Sequence, residues 1–331
     1  MSEKIIAIDA MGGDNAPVEI IKGAAAACKT VKYKLALIGK EDVINSELAK
    51  YDYDKSKITV VNADEVIENC DIPTEAIKTK KNSSMVVGMN MVRNGQALAL
   101  VSAGNTGALL TGATIIVGRI KGVKRPALGT MLPSEKKRVL MLDSGANVDA
   151  KAEYLVQFAQ MGSVYFENVI GKENPTVGLI NIGSEREKGN AMAKEAYTLL
   201  EEAKGINFVG NIEARDITLG NVDIVVCDAF VGNVILKVME GLGKTVLRII
   251  KRELLSSFRT KIGALLSKPA YKKIQREFFE YDDIGGAPFL GLKGLVVKAH
   301  GSSDASAIAG AIKQCEIFID SDIVNKIADR L

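Results

Sequence analysis

A single histidine in 331 residues removes most familiar catalytic arrangements at once. His300 has no second imidazole to work with, and the chain holds neither a Cys–His pair nor an H-E-x-x-H helix. The four cysteines, Cys28, Cys70, Cys227 and Cys315, lie 42, 157 and 88 residues apart. Those gaps fit neither a zinc site nor a compact disulfide framework, so a reducing cytoplasm is expected. The charged start SEKIIAIDA runs straight into a strand and does not read as a secretory signal. GLGKT at 241–245 lacks the first glycine of a phosphate-binding Walker loop, because position 238 is Val, and it lies within a helical pattern. MGGDNAP follows a strand without being G-x-G-x-x-G, so it supports a nicotinamide site only weakly. The uncharged run from Asn94 to Gly118 carries Ser102, Asn105, Thr106 and five glycines, with its polar group at the centre. That placement predicts a buried strand, turn and helix in preference to a lipid span.

What the chain has instead is repetition of one device. An apolar β-branched stretch runs into a tight turn of Gly, Ser, Asn and Asp that opens a helix, at 5–17, 99–108, 139–147, 178–190, 223–233 and 295–305. Small residues let the backbone approach a ligand, and helix N-termini aim unpaired N–H groups at negative charge. Six such turns point to a phosphate or another oxyanion. The strand–turn–helix rhythm with uniformly apolar strands predicts an α/β fold, a doubly wound, largely parallel sheet with helices on both faces. Ligands in such sheets sit beyond the carboxyl ends of the strands. KRPALGTMLPSEKKRVLML reads instead as an antiparallel pair turning at LPSEKKR. At this length one large domain or two intimately joined ones are expected, and the chain is read as a single α/β domain spanning 1–331.

Within the turns, Ser102, Asn105 and Thr106 can cap a helix and offer donors to an anion, or serve only as a cap. Ser184 and Lys188 precede a glycine-rich helix opening, where a lysine can neutralise phosphate or lie solvated on the surface. Asp228 and Asn233 sit after a strand, as a ligand pair or as a turn residue and a cap. His300 can donate to an oxyanion or bond a backbone carbonyl, with Ser302, Ser303 and Asp304 beside it. Asp143, Asn147 and Asp149 are odd company for phosphate unless they orient lysines or accept from a substrate.

A net charge of +3 hides an uneven distribution. Between Lys244 and Phe278 lie ten Lys or Arg and two Glu, a local +8, which leaves −5 for the rest of the chain. Leu254, Leu255, Phe258, Ile262, Leu265 and Leu266 recur there at helical spacing. Residues 254–278 therefore read as an inserted amphipathic basic arm, a short helical pair broken at Pro269. Either the apolar stripe packs on its own core or a second subunit, or the arm meets an anionic surface such as lipid headgroups or an acidic protein. Nucleic acid is not expected, because the few aromatics sit on the apolar faces and do not interleave with the charge.

Taken in order, DAMGGDNAP, VSAGNTGA, DSGAN, NIGSE..KGN, CD.FVGN, GGAPFLGLKG and VKAHGSSDA resemble the motifs of the bacterial phosphate acyltransferase family, PlsX, from about residue 4 to 320. The resemblance implies transfer of a fatty acyl group from acyl–acyl carrier protein to orthophosphate, giving an acyl phosphate that a membrane glycerol-3-phosphate acyltransferase consumes in phospholipid synthesis. It implies a homodimer, no cofactor and no metal, and a fold like that of isocitrate and isopropylmalate dehydrogenases and phosphotransacetylases. Phosphate is then the nucleophile, so no activated side chain is needed. Positioning two reactants supplies ~7–11 kcal/mol and one oxyanion donor roughly 3–4 kcal/mol.

The expected catalytic residues are Lys188, Asn233 and His300. The expected phosphate- and substrate-binding set is Asp9, Gly12, Gly13, Ser102, Gly104, Asn105, Thr106, Asp143, Asn147, Gly183, Ser184, Asp228, Gly301 and Ser302. Lys261, Lys268, Lys272, Lys273 and Arg276 can steer an acidic carrier, and the arm's apolar stripe can hold the protein peripherally on a membrane. Two positions depart from the family pattern: Ala229 stands where CDGFVGN has glycine, and Val86 where SSMR has arginine. Three other readings stay open: a phosphotransacetylase using coenzyme A, a nicotinamide-dependent decarboxylating dehydrogenase, and a non-enzymatic anion sensor at the membrane.

Overall fold

The computed structural model describes residues 4–278 and 285–331. The first half runs β1 (Ile5–Asp9), α1 (Val18–Ala27), β2 (Lys34–Gly39), α2 (Glu41–Leu48), β3 (Ile58–Asn62), α3 (Pro73–Thr79), α4 (Ser84–Arg93), β4 (Ala99–Ser102) and α5 (Thr106–Gly112). A π-helical turn over Ala113–Val117 prolongs α5. Then follow β5 (Ala127–Leu128), β6 (Thr130–Leu132), β7 (Val139–Leu142), α6 (Ala152–Tyr165), β8 (Thr176–Asn181), α7 (Ala191–Glu202), β9 (Asn207–Glu213), α8 (Ala214–Leu219) and β10 (Ile224–Val226). The chain continues with α9 (Ala229–Leu254), α10 (Phe258–Phe278), β11 (Ala287–Leu290), β12 (Leu295–Lys298), α11 (Ala305–Asp320) and α12 (Ile323–Arg330).

The strands form two sheets, ordered β3-β2-β1-β4-β12-β11-β5 and β6-β7-β10-β8-β9. The first is parallel through β12 and antiparallel at β11 and β5. The second is parallel except for β6, which pairs with β7 through Thr130↔Met141 as the LPSEKKR turn predicts. Gly129 alone separates β5 from β6, so one extended stretch edges both sheets. Apolar residues alternate between faces: Ile6 and Ile8 of β1 join one core cluster and Ala7 joins another. Burial on both sides explains the unbroken apolar runs. The stretch at 94–118 is a buried strand, turn and helix, and among the described residues no helix is long and apolar enough to cross a membrane.

The arm differs from its sequence expectation. Pro269 does not end a helix; α10 runs through it, and the break falls at Leu255–Ser257. Ser257 supplies the reason, since its Oγ accepts from Thr260 N at 3.2 Å and starts α10, while a mid-helix proline removes one N–H without stopping the helix. Leu254 thus closes α9 and is not part of the second helix. Phe258, Leu265 and Leu266 are 79%, 70% and 78% exposed. The apolar face continues along α9 through Phe230, Val234, Val238, Leu242 and Val246, all exposed and spaced by four.

Candidate active site

The chain builds outward from β1 to β3 and then returns to place β4 on β1's other side, so a switch point lies between β1 and β4. Because β1, β4 and β12 are successive neighbours, the turns after them meet. Asp14 N–H donates to Gly301 O at 2.8 Å, and Asn15 Nδ2 donates to Ser302 O and Ser303 O at 3.2 and 3.3 Å. Gly13 has φ +115°, and a Cβ there would stand 2.9 Å from Ala103 Cβ and 3.2 Å from Gly301 O. Only glycine lets these turns close on one another.

Beneath the turns lies a buried polar knot. Asp9 accepts from Ser84 Oγ at 2.5 Å, Ser102 Oγ at 2.7 Å and Met11 N at 3.2 Å. Burial pushes its carboxyl above the ordinary range, against the pull of these hydrogen bonds. Ser102 Oγ also accepts from Gly104 N at 3.1 Å, and Ser102 is 1% exposed. The expectation that Asp9 and Ser102 touch substrate is therefore corrected: both hold the turns from below. Gly12 belongs to the same knot, since a Cβ on it would stand 2.4 Å from Asp9 Oδ2.

Asp143 is corrected likewise. It is fully buried, and it accepts from the backbone N–H groups of Leu128, Gly145, Ala146 and Asn147 and from Asn147 Nδ2. Asn147 Nδ2 reaches Pro126 O at 2.8 Å as well, so this pair stitches the seam between the two sheets. Asn105, Asn190, Asp228 and Asp304 are the N-caps of α5, α7, α9 and α11, accepting from Ala108, Ala193, Val231 and Ala307 N–H. Asn105 is a cap as its plain reading has it, and its Nδ2 is spent on Asn69 O at 3.1 Å. On α9 the cap is Asp228, where the plain reading put a turn residue, and Asn233, read as the cap, lies inside the helix.

Above this base opens a cleft of about 780 Å³. Of the expected residues, Thr106, Asn233, His300, Gly301 and Ser302 line it. Beside them stand Ser144, Lys237, Glu240, Lys244 and Lys298, none of which was singled out for the site from sequence. Asn233 is carried there by the first turns of α9, whose start is fixed by the Asp228 cap and by Ala229 N–H donating to Asn147 O at 3.0 Å. Ala229 has no positive φ and is buried, so alanine fits where the family pattern has glycine. Val86 is buried in the core cluster that contains Met85 and Met89.

His300 Nδ1 accepts from Ser302 N–H at 3.2 Å and lies 2.8 Å from Ser302 Oγ. This geometry assigns the ring proton to Nε2. Burial lowers its pKa below the usual 6.5; Glu240 opposes that, while Lys237, Lys298 and Lys244 reinforce it. The imidazole is thus a neutral donor. Cys227, beneath the start of α9, is buried with its thiol pKa pushed well up, mainly by desolvation, so it is no nucleophile. Gly183, Ser184 and Lys188 are not in the cleft lining. Lys188 and Ser184 are exposed in the loop after β8, at the same carboxyl edge as Asn233's helix and one strand further out.

A phosphotransacetylase from Streptococcus pyogenes superposes on the chain with a TM-score of 0.63 at 15% identity, covering 98% of this chain and 94% of that one. A 4-hydroxythreonine-4-phosphate dehydrogenase from Klebsiella pneumoniae gives 0.53 at 13% identity, over 95% and 98%. The fold is that of the phosphotransacetylase-like α/β proteins. The family described as "fatty acid synthesis protein" matches residues 5–326. A phosphate acyltransferase from Clostridium novyi is 50% identical over 327 residues, covering 98% of both chains, and one from Clostridium botulinum is 49% identical over 328 residues, covering 99% of this chain and 97% of the relative. The chain belongs to the bacterial phosphate acyltransferase family.

Proposed function

We infer that the protein transfers a fatty acyl group from a thioester donor, acyl–acyl carrier protein, to orthophosphate. A phosphate oxygen attacks the thioester carbonyl carbon; the C–O bond forms, the C–S bond breaks, and the carrier leaves as its thiolate and takes a proton. The observation that supports this best is the cleft itself. It is lined by three lysines and a neutral imidazole at a switch point, and Cys227, beneath the start of α9, is buried as a thiol. Such a site needs no protein nucleophile, only positioned donors around an anion.

Asn233 and Lys188 are proposed to hold the reacting carbonyl oxygen and phosphate, with Nε2–H of His300, Thr106 and the Gly301–Ser302 turn around them. Lys188 keeps this role on residue type and on its place at the shared carboxyl edge. The basic arm is proposed to meet an anionic membrane through Phe258, Ile262, Leu265 and Leu266, and to steer the acidic carrier through Lys261, Lys268 and Lys272. The apolar face of α9 supports a homodimer, since soluble monomers rarely expose a continuous apolar stripe. The product would pass to a membrane acyltransferase.

Incubation with palmitoyl–carrier protein and phosphate, trapping the product as its hydroxamate, tests the reading. Phosphate-dependent hydroxamate is expected. Product from palmitoyl-coenzyme A and none from the carrier protein would turn the assignment to a phosphotransacetylase.

A further inference from the structure

Lys298 ends β12, the strand between β4 and β11, and so arrives at the cleft from within the sheet. Its ammonium donates to Ala103 O at 3.1 Å and also to Ala299 O. Both acceptors are neutral carbonyls, one in each of the turns that close over β4 and β12. Among the described residues no carboxylate accepts a hydrogen bond from it. A largely desolvated cation without a counter-ion is unfavourable, and it is relieved either by loss of its proton or by an anion. Two of its three N–H groups are committed, which leaves one for the cleft.

We propose that Lys298 is a direct phosphate ligand of this cleft, the cation that pairs with the attacking phosphate through the N–H not held by Ala103 and Ala299. This deepens the acyl-transfer reading and rests on it. The groups facing Lys298 agree with an anion of two charges. Asp9, below it, and Asp14, in the turn after β1, favour the ammonium through space, and Lys237 on α9 opposes it. His300, two residues on, is neutral and adds no charge, and Glu240 is already bonded to Lys237 at 2.9 Å. An incoming phosphate therefore meets Lys298, Lys237 and Lys244 with one carboxylate of the lining already paired. Held by two backbone carbonyls, the Lys298 ammonium is also placed in advance, as a charge-stabilising donor requires.

Desolvation brings the Lys298 pKa down to about 8, so in the free enzyme it titrates above neutrality. Phosphate binding should then weaken as pH rises past that value, where phosphate is already mainly the dianion.

The experiment is phosphate binding to the full-length protein without any acyl donor, by isothermal titration with inorganic phosphate. Lys298→Met, which keeps the length of the stem, should bind phosphate at least tenfold more weakly than wild type, and Lys298→Arg should recover part of the loss. In the hydroxamate assay the Met variant should raise KM for phosphate while leaving KM for the thioester within about twofold. Phosphate affinity within twofold of wild type in a folded Met variant overturns the proposal. If the Met variant does not fold, wild-type affinity measured between pH 8 and 9.5 decides: a decline supports it and a flat profile overturns it. Phosphate binding that depends on Lys298 in an enzyme that forms no hydroxamate would sink the acyl-transfer reading and leave the ligand assignment standing.

Discussion

Gly232 of α9 packs so closely on Asp143 that a Cβ at that position would sit 1.9 Å from the Asp143 carbonyl oxygen. The contact seats the helix that presents Asn233 against the loop that stitches the two sheets. Gly232→Ala must push α9 away, a strain of about 1–3 kcal/mol or more. A lowered thermal midpoint is expected, together with a loss of acyl-phosphate formation larger than the folded fraction explains. An unchanged midpoint with full activity would refute the seating role.

Asn233→Ala removes a side chain that lines the cleft and is otherwise exposed, so stability should hold while turnover falls about 10²–10³-fold. Lys188→Ala should cost at least tenfold in kcat with little change in melting. Activity of Lys188→Ala within a few-fold of wild type would remove Lys188 from the mechanism.

Asp223 stands fully buried at the start of β10, bonded to Lys137 and Lys172 at 2.6 Å each and to Thr176 N and Oγ1 at 2.9 and 2.8 Å. Burial raises its pKa, but the two lysines and Thr176 outweigh it, and the carboxyl ends below its usual 3.8. A depressed folded pKa stabilises the protein above pH 3.8 and is lost as pH falls through the folded value. Asp223→Asn should cost about 2–4 kcal/mol at pH 7, read from the urea midpoint. The variant's stability should also fall less steeply than wild type below pH 3.8. Parallel pH profiles would show that Asp223 carries no such linkage.

For the arm, changing Leu265 and Leu266 to Glu should abolish flotation with anionic phosphatidylglycerol vesicles and leave hydroxamate formation from soluble carrier protein intact. Unchanged flotation would count against a lipid-facing stripe.

Much of the architecture was legible from local pattern. The turns after β1, β4 and β12 announce themselves as apolar runs ending in Gly, Ser and Asn, and the cap at Asn105 follows from residue type, whereas the cap of α9 falls on Asp228 and not on Asn233. The division into two sheets was not, because strand order is a tertiary property and the seam at Gly129 is a single residue within what reads as one strand. Short elements carry little periodicity: β11 is the four residues APFL, and α3, α8 and α12 are six to eight residues long.

In the site, turn chemistry located the right loops but assigned polar residues outward by default. Asp9, Ser102 and Asp143 turned out to hold those loops from beneath, since a carboxylate or hydroxyl at the end of a central strand can be satisfied by neighbouring turns. Lys298 is hard to read from sequence because a lysine after LVV looks like a strand end leaving for solvent. The signal was there: a cation directly ahead of a glycine turn, on a strand flanked by two others.

One continuous helix of 26 residues, about 39 Å, begins at the cleft and ends where α10 starts. Whatever seats α10 consequently meets the protein a helix's length from the cleft, as the foot of a mast stands below its lamp.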